Sequence, residues 1–250
     1  MATPTEILDA AFQRASTHLG KLIIDDPEIV SRIEYVSRFL GNRACVRLLL
    51  ACSLAKAHNP ALDIRKPYTE IGDADAYSGR RYDESYISSF IVQHKLPCNS
   101  TTAFLTPALR NRNIALTPEI NLLGNYPELY QTALQLLTDV HSGQITAEDL
   151  LAETIRWLLI IREERLLRME SLLAGLKSSK DTISLSSEAI VRLIQQHLDC
   201  KGSSRLPVLI VAAVYQAASM FLGERVLTLE SHQSADEQTG SLGDVQITLL

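Results

Sequence analysis

Several chemistries are missing from this sequence, and each absence narrows what it does. Its four cysteines, Cys45, Cys52, Cys98 and Cys200, include no Cys-x-x-Cys pair. Neither a cysteine zinc site nor a disulfide framework is therefore expected. Cys45 and Cys52 fall inside an apolar helical pattern and read as small buried hydrophobes. The histidines at 18, 58, 94, 141 and 197 stand singly, without paired ligand spacing, and His232 reads as an exposed loop residue. No glycine-rich phosphate loop and no nucleophile elbow occurs, which argues against P-loop and α/β-hydrolase chemistry.

Membrane and export signals are equally scarce. The start, Met1-Ala2-Thr3-Pro4-Thr5-Glu6, has neither the basic residues nor the apolar run of a signal peptide, so a cytoplasmic location is expected. The one long apolar stretch, Pro207 to Leu222, is shorter than the ~20 residues of a bilayer span and carries Gln216 and Ser219. It is expected to be a central core helix with no membrane role. Positive charge is not in excess: the net charge of −5 excludes a uniformly basic coat for nucleic acid. A local basic surface is compatible with that balance, because affinity for phosphate depends on where Lys and Arg cluster.

What is present is mostly helix. The 250 residues, 46% hydrophobic and 21% charged, suit one large soluble domain or two small ones. Ile7, Ala10, Ala11, Ala15 and Leu19 mark one apolar face, and Ile29, Ile33, Val36 and Leu40 a second. After Gly41-Asn42 the pattern resumes from Ala44 to Ala57 and stops at His58-Asn59-Pro60. Asn125-Tyr126-Pro127 opens another helix, followed by Leu129, Ala133, Leu136, Leu137 and Val140. Ser142-Gly143 makes a turn, and Thr146 with Asp149 resembles a capping box for a long helix to about Leu176. In that helix Glu164 and Arg168 are spaced to support an exposed face. Lys177-Ser178-Ser179-Lys180 reads as a linker, and Ser187 to Leu198 as a helix with Ile190, Val191, Ile194 and Leu198 in a stripe. Strands are expected at Val226 to Leu229 and Val245 to Leu250. The expected divisions are a helical region at 1–62, a polar loop-rich segment at 63–117, a second helical region at 118–222, and a β-containing end at 223–250.

The polar segment differs in kind from its surroundings. A short helix is expected from Asp83, as N-cap, to Lys95, burying Tyr86, Ile87, Phe90 and Ile91. Arg65 and Lys66 lead to Ser78, Arg80 and Arg81; Asn99 and Thr101 come next, then Arg110-Asn111-Arg112-Asn113. Arginine pairs bidentately with guanine, asparagine with adenine, and Ser or Thr with phosphate oxygens. Two arginine clusters interleaved with such residues suit a DNA-reading surface. The same residues also suit a structured loop whose arginines pair with Asp73, Asp75, Asp83 and Glu84.

Near the C-terminus, Gly243-Asp244 precedes an alternating strand. One strand-borne carboxylate holds a divalent metal only if another acid converges on it. Asp236 and Glu237 lie just upstream. The acid-x-lysine run Asp199-Cys200-Lys201 ends a helix and is read as coincidence.

Taken together, these segments resemble the SacI-type restriction endonucleases through nearly the whole chain. The resemblance is carried by Asp63-Ile64-Arg65-Lys66-Pro67-Tyr68-Thr69-Glu70-Ile71-Gly72, by Ser78-Gly79-Arg80-Arg81-Tyr82-Asp83, and by Leu96 to Ala108, with Asn99-Ser100-Thr101-Thr102-Ala103-Phe104 at its centre. Arg110-Asn111-Arg112-Asn113 and Thr239-Gly240-Ser241-Leu242-Gly243-Asp244-Val245 complete it. It implies a type II enzyme that uses Mg²⁺ to cut both strands of a short site in double-stranded DNA. It also implies a homodimer on a palindrome and a cognate DNA methyltransferase in the same system. The fold it implies is predominantly α-helical, with a C-terminal β element that begins an α/β PD-(D/E)XK nuclease core. Asp244 matches the first metal-binding aspartate of that core. The strand bearing Glu-x-Lys would lie beyond Leu250, so the expectation is a truncated enzyme with half its catalytic site. The alternative is a non-catalytic DNA-binding or protein-interaction module derived from such an enzyme.

Overall fold

The structure is a computed structural model and describes residues 2–39, 41–99, 101–110, 112–120, 122, 125–178, 186–198, 206–227 and 247–249. Three helices come first: α1 (Pro4–Thr17), α2 (Pro27–Arg38) and α3 (Ala44–His58). The first two each begin at a side-chain cap followed by proline. Thr3 accepts from the Glu6 amide while the Glu6 carboxylate accepts from the Thr3 amide, a reciprocal box. Asp26 accepts from the amides of Glu28 and Ile29.

The buried face of α1 is Leu8, Ala11 and Ala15, which corrects the face drawn through Ala10 and Leu19. The helix stops at Thr17, so Leu19 falls out of phase and is 41% exposed. On α2, Ile29, Ile33 and Val36 are buried as expected, and Leu40 lies outside the described residues.

α3 is the central helix. Every residue from Ala44 to Ala55 is buried, and α1, α2 and a later helix, α6 (Pro127–His141), pack around it. A helix that is apolar on all sides requires such enclosure. Burial pushes the thiols of Cys45 and Cys52 up to about 12, so both are inert at neutral pH. Two side chains break the apolar pattern, Arg47 and Ser53, and Arg47 is the one that reaches into the polar segment.

The 63–117 segment contains no strand among the described residues. Its 3₁₀ turns, Thr69–Ile71 and Ala103–Leu105, flank a helical run made of α4 (Gly79–Tyr82), a π turn (Asp83–Ile87) and α5 (Ser88–Gln93). Ser78, not Asp83, caps this run: its Oγ accepts from the Arg81 amide. Asp83 lies inside the run and is fully buried, and Ile87, Phe90 and Ile91 are buried with it. The segment is therefore not merely a polar surface. Tyr68, Tyr77, Phe104, Leu109 and Leu116 belong to the main core.

α6 buries the five residues its pattern marks. Gly143 comes after it with φ of +79°, a left-handed turn suited to glycine. Thr146 Oγ1 then accepts from the Asp149 amide at the start of α7 (Ala147–Ser178). Glu164 meets Arg38 of α2 through two bonds of 2.7 Å, so its main partner is a distant residue. α7 continues two residues into the stretch expected as a linker, and Ser179 and Lys180 lie outside the described residues.

The chain forms two compact units, Met1–Leu176 and Lys177–Leu250. The division falls inside the 118–222 region, not at its ends. The second unit contains α8 (Ser187–Leu198), α9 (Leu206–Leu222), β1 (Glu224–Val226) and β2 (Ile247–Leu249). The strands pair antiparallel, with Glu224 opposite Leu249 and Val226 opposite Ile247. The first strand thus precedes the position expected for it. Val191, one of the stripe residues of α8, is exposed.

α9 departs most from expectation. Instead of a core helix, it presents Leu209, Val214 and Phe221 to solvent, the last 91% exposed, and buries Ala212. Its only close element neighbour among the described residues is the three-residue β1, too small to cover a 17-residue apolar cylinder. No described helix is long and apolar enough to cross a membrane. The described chain is predominantly helical.

Candidate nucleic-acid interface

The polar segment hangs on one buried side chain. Arg47, 1% exposed, projects from α3, and its Nε donates to Asp83 Oδ1 at 2.6 Å. Its other two nitrogens donate to the Asn99 carbonyl and to Ser88 Oγ. Asp83 Oδ2 accepts from Thr102 Oγ1 and from the Ala103 amide. Four pieces of chain are thereby joined: α3, the π turn, α5 and the Asn99–Ala103 loop. Burial pushes the Asp83 carboxyl above its ordinary value, against the opposing donors of Thr102, Arg47 and Ala103. A second buried guanidinium, Arg43, donates to the carbonyls of Ser37 and Pro97 and so holds the chain just before the loop.

The first part of the segment folds back on itself. Asp63 N donates to the Asp75 carbonyl, Tyr77 N to that of Lys66, and Gly79 N to that of Pro67. Tyr77 Oη donates to the Ile64 carbonyl and Tyr68 Oη to that of Leu109, and Leu116 N closes on the Arg65 carbonyl. A Cβ on Gly79 would stand 2.5 Å from Phe104 Cζ and 2.7 Å from Pro67 Cβ. Only glycine permits this approach, which joins the Arg80-Arg81 turn to the Ala103–Leu105 turn.

On this scaffold the basic residues divide. Arg65 is half-buried and holds Asp63, which also meets His141 Nδ1 at 3.2 Å. Burial opposes ionisation of Asp63, but the Arg65 donors and His141 outweigh it and keep the carboxyl below its ordinary value. Lys66 Nζ lies 2.8 Å from Asp73 and 2.9 Å from Asp75, which together raise its pKa. Arg80 meets Glu84 at 2.7 Å, and Arg112 Nε donates to the Ala108 carbonyl. Arg81 and Arg110 are exposed and form no ion pair with the described residues. Thr101 and Asn113 are exposed, Ser78 serves as a cap, and Asn99 is half-buried with its carbonyl engaged. Asn111 and Asp244 lie outside the described residues, as do His232, Asp236, Glu237 and the Asp199-Cys200-Lys201 run.

Of the arginine pairings expected, Arg80 takes Glu84; Asp73 and Asp75 are held by Lys66 instead of an arginine, and Asp83 by Arg47 from outside the segment. Sequence reasoning passed over Arg47, Arg43 and Thr102. The available signal was two arginines at 43 and 47, spaced one helical turn apart, at the head of an otherwise apolar helix.

Among the described residues, no group of three or more His, Cys, Asp or Glu side chains is arranged to hold a metal ion. Asp244 is then the one nominated ligand, and one carboxylate does not make a magnesium site. No family model, curated protein or solved structure matches the chain.

Proposed function

We propose that the chain is a type II restriction endonuclease-like protein whose Asp63–Asn113 segment binds double-stranded DNA. The observation that carries this reading is the pair Arg81 and Arg110, solvent-exposed and outside any ion pair with the described residues. Arg81 stands on α4, which runs directly into the turn that bears Asp83, and Arg110 stands on the turn closed by its own amide on the Thr106 carbonyl. Arginines held near a fixed scaffold contact phosphate or guanine with little ordering cost. Mg²⁺-dependent cleavage, a homodimer, a cognate methyltransferase and a cytoplasmic setting belong to the same proposal through the resemblance. A second reading is a non-catalytic DNA-binding or protein-interaction module derived from such an enzyme, in which Arg81 and Arg110 would serve the same role without a metal site.

The test is fluorescence anisotropy of labelled duplexes with the full chain at low salt, alongside plasmid nicking with and without Mg²⁺. Saturable duplex binding with nicking in Mg²⁺ supports the enzyme. Binding without nicking supports the module. Absence of saturable binding removes both.

A further inference from the structure

The helical run from Gly79 to Gln93 is held on one side and open on the other. Gly79, Asp83, Ile87 and Ile91, spaced four apart, are buried. Asp83 and Ser88 take the Arg47 guanidinium from α3. The outward row, Arg81, Ser85, Ser89 and Gln93, keeps the same spacing and is exposed throughout. In an unbroken α-helix residues four apart drift by about 40°, so three steps would turn such a row by about 120°. The π turn Asp83–Ile87, closed by the Ser88 amide on the Asp83 carbonyl, is wider and takes up part of that drift. It therefore aligns the outward row as well as the buried one. Single π turns inside α-helices recur at functional sites.

The chemistry of the open side suits a polyanion with readable edges. The row carries no carboxylate, and Glu84, the exposed acid of the run, is held by Arg80 at 2.7 Å. Arg81 opens the row, and Lys95 is exposed just past its end. Beside Gln93, Val92 is 71% exposed, an apolar side chain held out on a polar face. Ser85 to Gln93 advances about 12 Å along the axis, about three to four base-pair steps. Resting on the duplex-binding reading above, we propose that this run lies in the major groove and reads sequence there. Gln93 pairs bidentately with an adenine, and Val92 packs on a thymine methyl at the same or the next base pair. Arg81 and Lys95 hold phosphates at the two ends, which sets the register without reading bases. Serine hydroxyls at 85 and 89 accept either kind of base edge, so discrimination belongs to Gln93 and Val92.

The experiment is selection of bound duplexes from a pool with a randomised core, using the full chain in EDTA so that the DNA stays intact. The parent is compared with Gln93→Ala and Val92→Ala, both exposed positions at which truncation leaves the fold in place. The parent is expected to enrich a motif that includes an A·T pair. Gln93→Ala should lower the preference for that pair about tenfold, and Val92→Ala should relax the same or the adjacent pair. The salt dependence of binding should stay at the parent value in both variants, because neither removes a charge. If the parent binds duplex but enriches no motif, or if both variants select the parent motif unchanged, this proposal is overturned while the duplex-binding reading stands. A uniform loss of affinity with base preferences intact overturns it equally. Absence of saturable binding by the parent removes both.

Discussion

Arg80 and Arg81 are neighbours in sequence and differ in what they do. Arg80 closes on Glu84 one turn along its helix, while Arg81 reaches solvent without an ion pair among the described residues. The same division separates Lys66, held by Asp73 and Asp75, from Arg110, exposed and similarly unpaired. A count of basic residues treats all four alike. The difference teaches that, under the proposed reading, a mildly basic segment offers DNA only those cations its own carboxylates have not already neutralised, on a segment that Arg47 ties to α3 through Asp83 and Asn99.

The comparison is broken most severely at that scaffold. Arg47→Met leaves Asp83 buried without its guanidinium and is expected to cost about 3–5 kcal/mol, as for other broken buried pairs. Urea unfolding would measure it, and duplex binding should be lost together with the fold. A cost below about 1 kcal/mol would show that the Arg47 network does not organise the segment. Gly79→Ala is next. The added methyl meets Phe104 and Pro67, and about 1–3 kcal/mol is expected, the usual cost of overpacking. An unchanged midpoint would mean that the two turns are not locked together.

Acid should affect stability before it affects the exposed arginines. His94 is stacked on Phe12 at 3.9 Å, its Nε2 has no hydrogen-bond partner among the described residues, and burial lowers its pKa. A depressed folded-state value means that the unfolded chain takes the proton more readily. The contribution is complete above the ordinary value of about 6.5 and is lost as pH falls through the lower, folded one. Asp63, also depressed, adds a second loss below the ordinary carboxylate range of about 4. Thermal midpoints should fall in these two steps. His94→Phe should flatten the first and Asp63→Asn the second, and a variant that leaves its step unchanged would refute the assignment.

Much of the helical framework was legible because it depends on local chemistry: the cap at Thr146, proline in the first turn of α6, and apolar spacing on α2 and α6. What was not legible depends on distant partners. α3 and α9 are both apolar on nearly every side, and only α9 was expected as the central core helix. α3 is enclosed by helices drawn from across the first unit, whereas α9 exposes Phe221 and Leu209. No periodicity within a helix states what packs against it. Asp83 failed for the same reason: Asp before an apolar run is a sound cap signal, but Arg47, 36 positions earlier, makes it an interior residue. At the candidate interface, the residue types and their clustering could be read, but not the division into paired and unpaired cations. Lys66 meets Asp73 seven residues away and Asp75 nine away, through a loop whose path no short-range rule specifies.

The central claim, that Arg81 and Arg110 meet DNA phosphates while Lys66 and Arg80 do not, is tested most directly by the salt dependence of duplex affinity in two double variants. Arg81→Ala with Arg110→Ala and Lys66→Ala with Arg80→Ala remove the same charge, the second pair breaking ion pairs that the first does not, and urea unfolding of each checks that it remains folded. The account predicts that the slope of log affinity against log salt falls by about 2 in the first pair and stays at the parent value in the second. Equal slopes in the two variants, or a larger fall in the second, would contradict it.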